Sequence, residues 1–382
     1  MSDDKSQEFF SDGLTEEIIT ALSKTPKLFV IARNSTFVYK GKAVNVQQVS
    51  RELGVKYVLE GSVRRSGNSV RITAQLIDAI TGNHLWAERY DPRMKDIFAV
   101  QDEITMRIVN ALEVKLTRGE QARLTEIGTT NLEAYLKVLQ GTEHASRANR
   151  TDNNTALELF KEAIAIDPDS AIAYARLAWA YWIEVFLGFG KSPEESIRQG
   201  FESAQKAISL NDSLPLAHCA LAGFHLLKRE HQKSTSEGQK AIVLNPNWAD
   251  GYMLLGHNLV FAGKPEEAIS NLEMATRLDP FARSAYFHIL GMAYREAGRY
   301  EEAIAACQEA IRRQPNNEFA HLILASTYIV AGREPEARAE AAEALRINPM
   351  FSLKRLAKVR PHIDPENTAR MVDALRKAGL PE

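Results

Sequence analysis

The apolar positions near the start of the chain change period several times. Leu14, Ile18, Ile19 and Leu22 follow a step of three to four residues, which predicts a helix over residues 12–22. Phe29-Val30-Ile31 is a short continuous apolar run and reads as a buried strand. Val46, Val49 and Leu53 return to helical spacing and stop at Gly54, where glycine suits the left-handed backbone of a helix end. The period then drops to two. Val70, Ile72, Ala74 and Leu76 alternate with Arg71, Thr73 and Gln75, so one face of that strand is expected to be buried and the other wet. Residues 57–65 and 84–90 read as its neighbours, reached through Ser66-Gly67-Asn68 and Thr81-Gly82-Asn83. A helix over residues 96–116 completes a first domain of residues 1–118, and a polar linker is expected at 119–130.

Beyond residue 130 the pattern is helical and repeats. Ala163, Ala207, Ala241, Ala275, Ala310 and Ala344 are separated by 44, 34, 34, 35 and 34 residues. Five positions after each stand Pro168, Asp212, Pro246, Pro280, Pro315 and Pro349. A second set of small residues, Gly141, Ala178, Ala222, Gly256, Gly291 and Ala325, lies one helix earlier, with Tyr181, Tyr294 and Tyr328 three residues further on. A small side chain lets a second helix approach, the aromatic fills the space beside it, and proline ends the second helix because it cannot continue one. A unit of this length and order resembles the tetratricopeptide repeat, with six copies over residues 131–349. The 44-residue interval marks an insertion around residues 187–197. Residues 350–382, with an amphipathic stretch at 367–378, are expected to cap the open end of the array. The fold class is α+β: a small α/β amino-terminal domain with a partly antiparallel sheet, then an all-α right-handed solenoid, whose handedness is what the resemblance implies.

The first domain carries ordered phrases of its own. They are Phe10-Ser11-Asp12-Gly13-Leu14, Val30-Ile31-Ala32-Arg33, Val58-Leu59-Glu60-Gly61-Ser62-Val63-Arg64, Gln75-Leu76-Ile77-Asp78, Leu85-Trp86-Ala87-Glu88 and Phe98-Ala99-Val100-Gln101-Asp102-Glu103. In this they resemble the TolB-like amino-terminal domain that precedes tetratricopeptide repeats in bacterial signalling proteins. The resemblance implies an upstream class III adenylate/guanylate cyclase domain or a winged-helix DNA-binding domain. That family opens on an apolar strand with a Pro-Phe phrase, and this sequence starts just after it; the expectation is either a piece of a longer protein or a sheet one strand short.

Composition narrows the chemistry. The chain has 382 residues, 45% hydrophobic and 25% charged, which is ordinary for globular domains. A net charge of −2 gives no basic footprint for nucleic acid. Two cysteines, Cys219 and Cys307, and a polar, acidic start point to a reducing cytosol, and the cytoplasm is the expected location. No uninterrupted apolar span is long enough for a membrane helix. Gly190-Lys191-Ser192 resembles the end of a phosphate loop, but Val185 stands where its first glycine belongs. Ser192 with Pro193 and Glu195 reads better as a helix start with a capping box. His218, His225, His257, His288 and His321 lie on the first helices of repeats at spacings that suit packing more than zinc. Arg64, Arg65 and Arg71 gather near the hairpin and read as a solvated sheet face, with an anionic ligand as the lesser alternative. No catalytic set, metal site or cofactor site is expected, and the chain is read as a non-enzyme.

Function is therefore expected on the inner face that the first helices line, a placement that rests on the repeat resemblance. The candidate partner-binding residues are Tyr135, Trp179, Trp182, Leu226, Met253, His257, Phe261, His288, Met292 and Arg295. This face is apolar and aromatic, and it lacks the Lys and Asn pattern with which chaperone-binding repeats hold a terminal carboxylate. It suits an amphipathic helix or a segment of the protein's own upstream or amino-terminal domain. The alternative for any one of these side chains is packing between adjacent helices. The leading reading is a non-catalytic protein-interaction region of a bacterial cytosolic signalling protein, as the C-terminal part of an adenylate/guanylate cyclase-type protein. The second is the sensor region of a winged-helix transcription regulator.

Overall fold

The computed structural model describes residues 8–114, 131–147, 149–188, 190 and 192–382. The chain divides into two compact units, residues 1–220 with 241–248, and residues 221–240 with 249–382.

In the first unit α1 (Glu8–Ser23), α2 (Arg33–Phe37) and α3 (Val46–Leu53) precede an antiparallel sheet. Its strands are β1 (Tyr57–Ser66), β2 (Ser69–Asp78) and β3 (His84–Tyr90), in the order β1-β2-β3. Both pairings are antiparallel, so the expectation of a partly antiparallel sheet gives way to a wholly antiparallel one among the described residues. The alternation in β2 does what its period requires: Val70, Ile72, Ala74 and Leu76 are buried and the residues between them are not. Gly54 ends α3 at φ 68° and Gly67 turns the hairpin at φ 59°.

Phe29-Val30-Ile31 is not a strand. Its apolar run is anchored by other means: the Val30 N–H donates to Asn247 Oδ1 at 3.4 Å, and Ile31 packs with Val49 and Leu53 in a small separate core. A side chain from a distant loop has taken the hydrogen bond that a neighbouring strand would supply. Asn247 also donates from Nδ2 to Ser23 O and Thr25 O, each at 3.1 Å.

After α4 (Ile97–Ala111) the described chain is helical, and the expected linker, residues 119–130, lies outside the described residues. The first unit continues with α5 (Leu132–Ser146), α6 (Arg150–Ile166), α7 (Ala171–Phe186) and α8 (Pro193–Leu210). Then come α9 (Pro215–Leu227), α10 (His231–Leu244), α11 (Ala249–Phe261), α12 (Pro265–Leu278), α13 (Ser284–Glu296) and α14 (Tyr300–Arg313). Helices α15 (Glu318–Val330), α16 (Glu334–Ile347), α17 (Leu353–Val359) and α18 (Pro365–Lys377) complete the chain. The helix start at Pro193 is as expected, but Ser192 makes no side-chain cap and Glu195 pairs instead with Arg198 at 2.6 Å, so the capping box is absent.

The core of the first unit is continuous from the sheet into the repeats. Phe10, Leu14 and Ile18 of α1 pack with the inner face of β2, with Ile97, Ile104 and Ile108 of α4, and with Tyr135 and Leu139 of α5. Gly13 is the point of closest approach, since a Cβ there would lie 2.6 Å from Leu139 Cδ1. The expected division at residue 118 therefore does not coincide with a break in packing.

Within the helix pairs, the small residues sit where two backbones meet. A Cβ on Gly141 would lie 2.6 Å from Phe160 Cε1, and one on Gly256 would lie 2.6 Å from Leu272 Cγ. Gly291 faces Cys307 Sγ, with Ala303 O 3.2 Å from the same point. Ala178, Ala222 and Ala325 hold the corresponding positions fully buried. Replacing Gly291 by Trp should overpack this contact by about 1–3 kcal/mol or more. Thermal unfolding of the variant checks this, and an unchanged midpoint would show that the helix contact is not at Gly291.

Candidate functional site: the inner face of the repeats

The candidate residues divide between the two units. In the first unit Tyr135 is 3% exposed and meets Phe98 edge-on at 4.9 Å, inside the core built by α1, the sheet and α4. Helix α1 also reaches α7, where Arg176 donates to Glu16 at 3.0 Å. Thus the amino-terminal helix lies against the first helices of the first two repeats, and Tyr135 is one of the residues it covers. Trp182 is buried in a stack with Trp179 at 5.0 Å and Phe186 at 4.7 Å. Trp179, half-buried, is the more accessible member of that ladder.

In the second unit Leu226, Met253, Phe261, His288, Met292 and Arg295 are under 9% exposed and His257 is half-buried, its ring edge-on to Phe261 at 4.9 Å. What covers this face includes the chain's own segment after α17. The Ile363 N–H donates to Phe261 O at 2.8 Å. The His362 ring lies 4.6 Å from that of Phe261, and Arg360 Nη1 is 3.5 Å from Met292 Sδ. Arg229 donates to Arg360 O at 3.0 Å and to His362 O at 3.3 Å. Residues 350–382 were expected to cap the array. The structure shows α18 against α15, and also residues 360–363 lying against Phe261 and Met292.

The electrostatics of this face are lopsided. Arg295 pairs with Glu296 at 2.7 Å, both nearly buried, and Arg360 lies near the same pair. Burial, with Arg295 close by, brings the Arg360 guanidinium down to about 10. Burial likewise lowers the imidazoles, His257 to about 4 and His288 and His362 to about 3, each helped by the nearby Arg360. These rings are neutral at pH 7 and serve as polar packing groups: His288 Nδ1 lies 3.0 Å from Asn317 Nδ2, and His362 Nδ1 lies 2.8 Å from Thr368 Oγ1.

Other candidates resolve into local contacts. His218 Nε2 meets Asp212 O at 2.9 Å, and His321 sits between Glu340 and Pro315 O at 2.6 and 3.0 Å. Among the described residues no group of three or more His, Cys, Asp or Glu is placed to hold a metal ion. Cys219 and Cys307 are buried, and neither is in a disulfide. Arg71 pairs with Asp91 at 2.6 Å, and Arg89 pairs with the same carboxylate at 2.7 Å, so these arginines are already partnered. Lys191 and the Arg65 side chain fall outside the described residues. The residues that sequence reasoning did not assign to this face are Arg229, Arg360, His362 and Ile363. Arg360-Pro361 offered a signal, because proline forces the chain out of a helix there, but nothing in the period says where the freed segment goes.

Family models for the tetratricopeptide repeat match residues 253–318 and 294–358, and this stretch of the chain is built of such repeats. "Putative adenylate cyclase 3" of Rhizobium meliloti (strain 1021) is 47% identical over 222 residues, 58% of this chain and 38% of that protein. "Transcriptional regulator HilA" of Salmonella typhimurium is 21% identical over 291 residues, 75% of this chain and 52% of that protein. The chain thus spans between about two fifths and one half of the length of these relatives. A solved structure of an IFIT1 monomeric mutant shares the fold with a TM-score of 0.50 and 13% identity, covering 69% of each chain. No helix among the described residues is long and apolar enough to cross a membrane.

The lowered histidines give the second unit a pH dependence. Unfolded, each ring binds its proton near pH 6.5; folded, His257, His288 and His362 do so only near 3–4. Their contribution is complete above about pH 6.5 and is lost as the pH falls towards 4. His231 is lowered too and adds to this, whereas His321, raised by Glu340 and Pro315 O despite its burial, works in the opposite direction. Asp152 and Glu309, held at about 2, lose their contribution only below the ordinary carboxylate range. Thermal melts should therefore show a falling midpoint between pH 7.5 and pH 5, and a flat midpoint would show that the three rings are not held neutral.

Proposed function

We propose that this chain is the non-catalytic, protein-binding region of a bacterial cytosolic signalling protein, the C-terminal part of an adenylate/guanylate cyclase-type protein. The observation that carries this reading is the 47% identity to the Rhizobium meliloti protein over a stretch that forms only 38% of it. A shared stretch of that size, in a chain that contains repeats whose fold suits protein or peptide partners, fits a regulatory part more than a reacting one. The amino-terminal unit with its three-stranded sheet is read as TolB-like on the phrases quoted above. The candidate docking residues are Trp179 and Trp182 in the first unit and Leu226, Met253, His257, Phe261, His288, Met292 and Arg295 in the second; Tyr135 is not among them, because α1 and the amino-terminal core cover it. Aromatic and methionine side chains supply large contact area. With a net charge of −2, affinity cannot depend on long-range steering. The partner is a protein segment, possessed by a neighbouring domain of the parent or by another protein. Neither nucleic acid nor a membrane is bound by this region.

The likeness to HilA over 75% of the chain favours a second reading, in which the same region is the sensor part of a transcription regulator.

Two outcomes test the proposal. The purified chain incubated with ATP or GTP should yield no cyclic nucleotide, measured by chromatography; production would overturn the non-catalytic reading. Immobilised chain should capture the catalytic domain of the parent cyclase, and Trp179→Ser should weaken capture about tenfold while the helical circular dichroism stays intact. Capture unaffected by that change would remove the tryptophan ladder from the docking surface.

A further inference from the structure

The turns between the two helices of successive repeats carry glycine in a left-handed backbone, Gly263 at φ 74°, Gly298 at 77° and Gly332 at 76°. At the corresponding point between α9 and α10 stands Arg229, at φ 60°. A residue with a Cβ is strained there, and glycine would be the relaxed choice. The Arg229 backbone still closes its helix end, since its N–H donates to Leu226 O at 2.8 Å, so the turn itself does not require an arginine. What the side chain adds is a reach across the sequence to residues 360–363: one guanidinium nitrogen donates to Arg360 O and the other to His362 O. A strained backbone position is thereby spent on holding a segment more than a hundred residues away.

That segment is poorly matched to its bed. Arg360 is 8% exposed, has Met292 sulfur at 3.5 Å as its side-chain hydrogen-bond partner, and sits near a second guanidinium, that of Arg295. His362 Nε2 and Arg295 Nε are buried without a hydrogen-bond partner. Ile363, although bonded through its backbone to Phe261 O, is 55% exposed as a residue, with Cγ2 passing the Gly263 turn. An integral part of a core would bury its isoleucine and satisfy its polar atoms. By contrast α18, which follows, buries Met371 and Leu375 and has the packing of a permanent element.

We propose that residues 360–363 form an intramolecular strap, latched by Arg229, that covers Phe261 and Met292 and must open before a partner docks on this face. The strap is an autoinhibitory contact, and it rests on the reading of this face as a docking surface. Its opening leaves α18 in place and frees the apolar bed.

Arg229→Gly tests the latch without threatening the fold, because it removes the guanidinium and relaxes the backbone together. Hydrogen exchange followed by mass spectrometry on the full chain should show the Ile363 amide exchanging at least tenfold faster in the variant. Amides of α11, α13 and α18 should keep their rates, the thermal midpoint should hold or rise, and bis-ANS fluorescence should increase as the bed is uncovered. Unchanged exchange at Ile363 would overturn the latch, and faster exchange without added bis-ANS binding would overturn the masking. In the unsubstituted chain, Ile363 should already exchange faster than the core amides of α15; equal rates would make the segment core and end the proposal. None of these readouts uses a partner, so they fail separately from the capture experiment, which alone decides the docking reading.

Discussion

Close contact between helix backbones at one small residue per repeat is the constraint on which the remainder depends. Where Gly141, Gly256 or Gly291 stands, no room exists for even a methyl group without displacing Phe160, Leu272 or Cys307. Dense packing at this point fixes the separation of the two helices in each pair. That separation in turn sets which side chains of the first helices face inward. The glycines and alanines carry no chemistry; they determine where the aromatic, methionine and histidine side chains are presented.

In both units the chain itself covers some of the candidate side chains. In the first, α1 lies across α5 and α7, sealed by Gly13 against Leu139 and by Arg176 with Glu16. In the second, residues 360–363 lie on Phe261 and Met292. The two coverings differ in chemistry. The α1 contact is an apolar core with Phe10, Leu14 and Ile18 fully committed to it. The C-terminal contact gathers three arginines, three neutral histidines and one carboxylate, an arrangement whose stability depends on keeping the rings unprotonated. Apolar burial ties the amino-terminal helix down, whereas polar and charged contacts hold the other segment with less to spare.

Several misreadings share one cause. Phe29-Val30-Ile31 has the composition of a strand, but Asn247, more than two hundred residues away, takes up its Val30 amide. Ser192 and Glu195 have the spacing of a capping box, yet Arg198 lies one helical turn on and the carboxylate pairs with it. Local pattern states what a residue can do. Competition from groups elsewhere decides which of those options is used, and the sequence records no distances between them.

The repeat period, the hairpin and the alternation of β2 were determined by sequence alone, because each is a local rule: a small residue at a helix crossing, a proline that cannot continue a helix, and side chains that point to opposite faces of a strand. Only the tertiary structure decided that Tyr135 belongs to the core of the amino-terminal unit, that Arg360 and His362 lie over Phe261, and that Arg229 replaces a turn glycine in order to reach them. Those outcomes depend on which distant segment can bury area and satisfy hydrogen bonds at a given surface. Long-range competition of that kind is settled by the whole chain at once, and no periodicity within a single element encodes it.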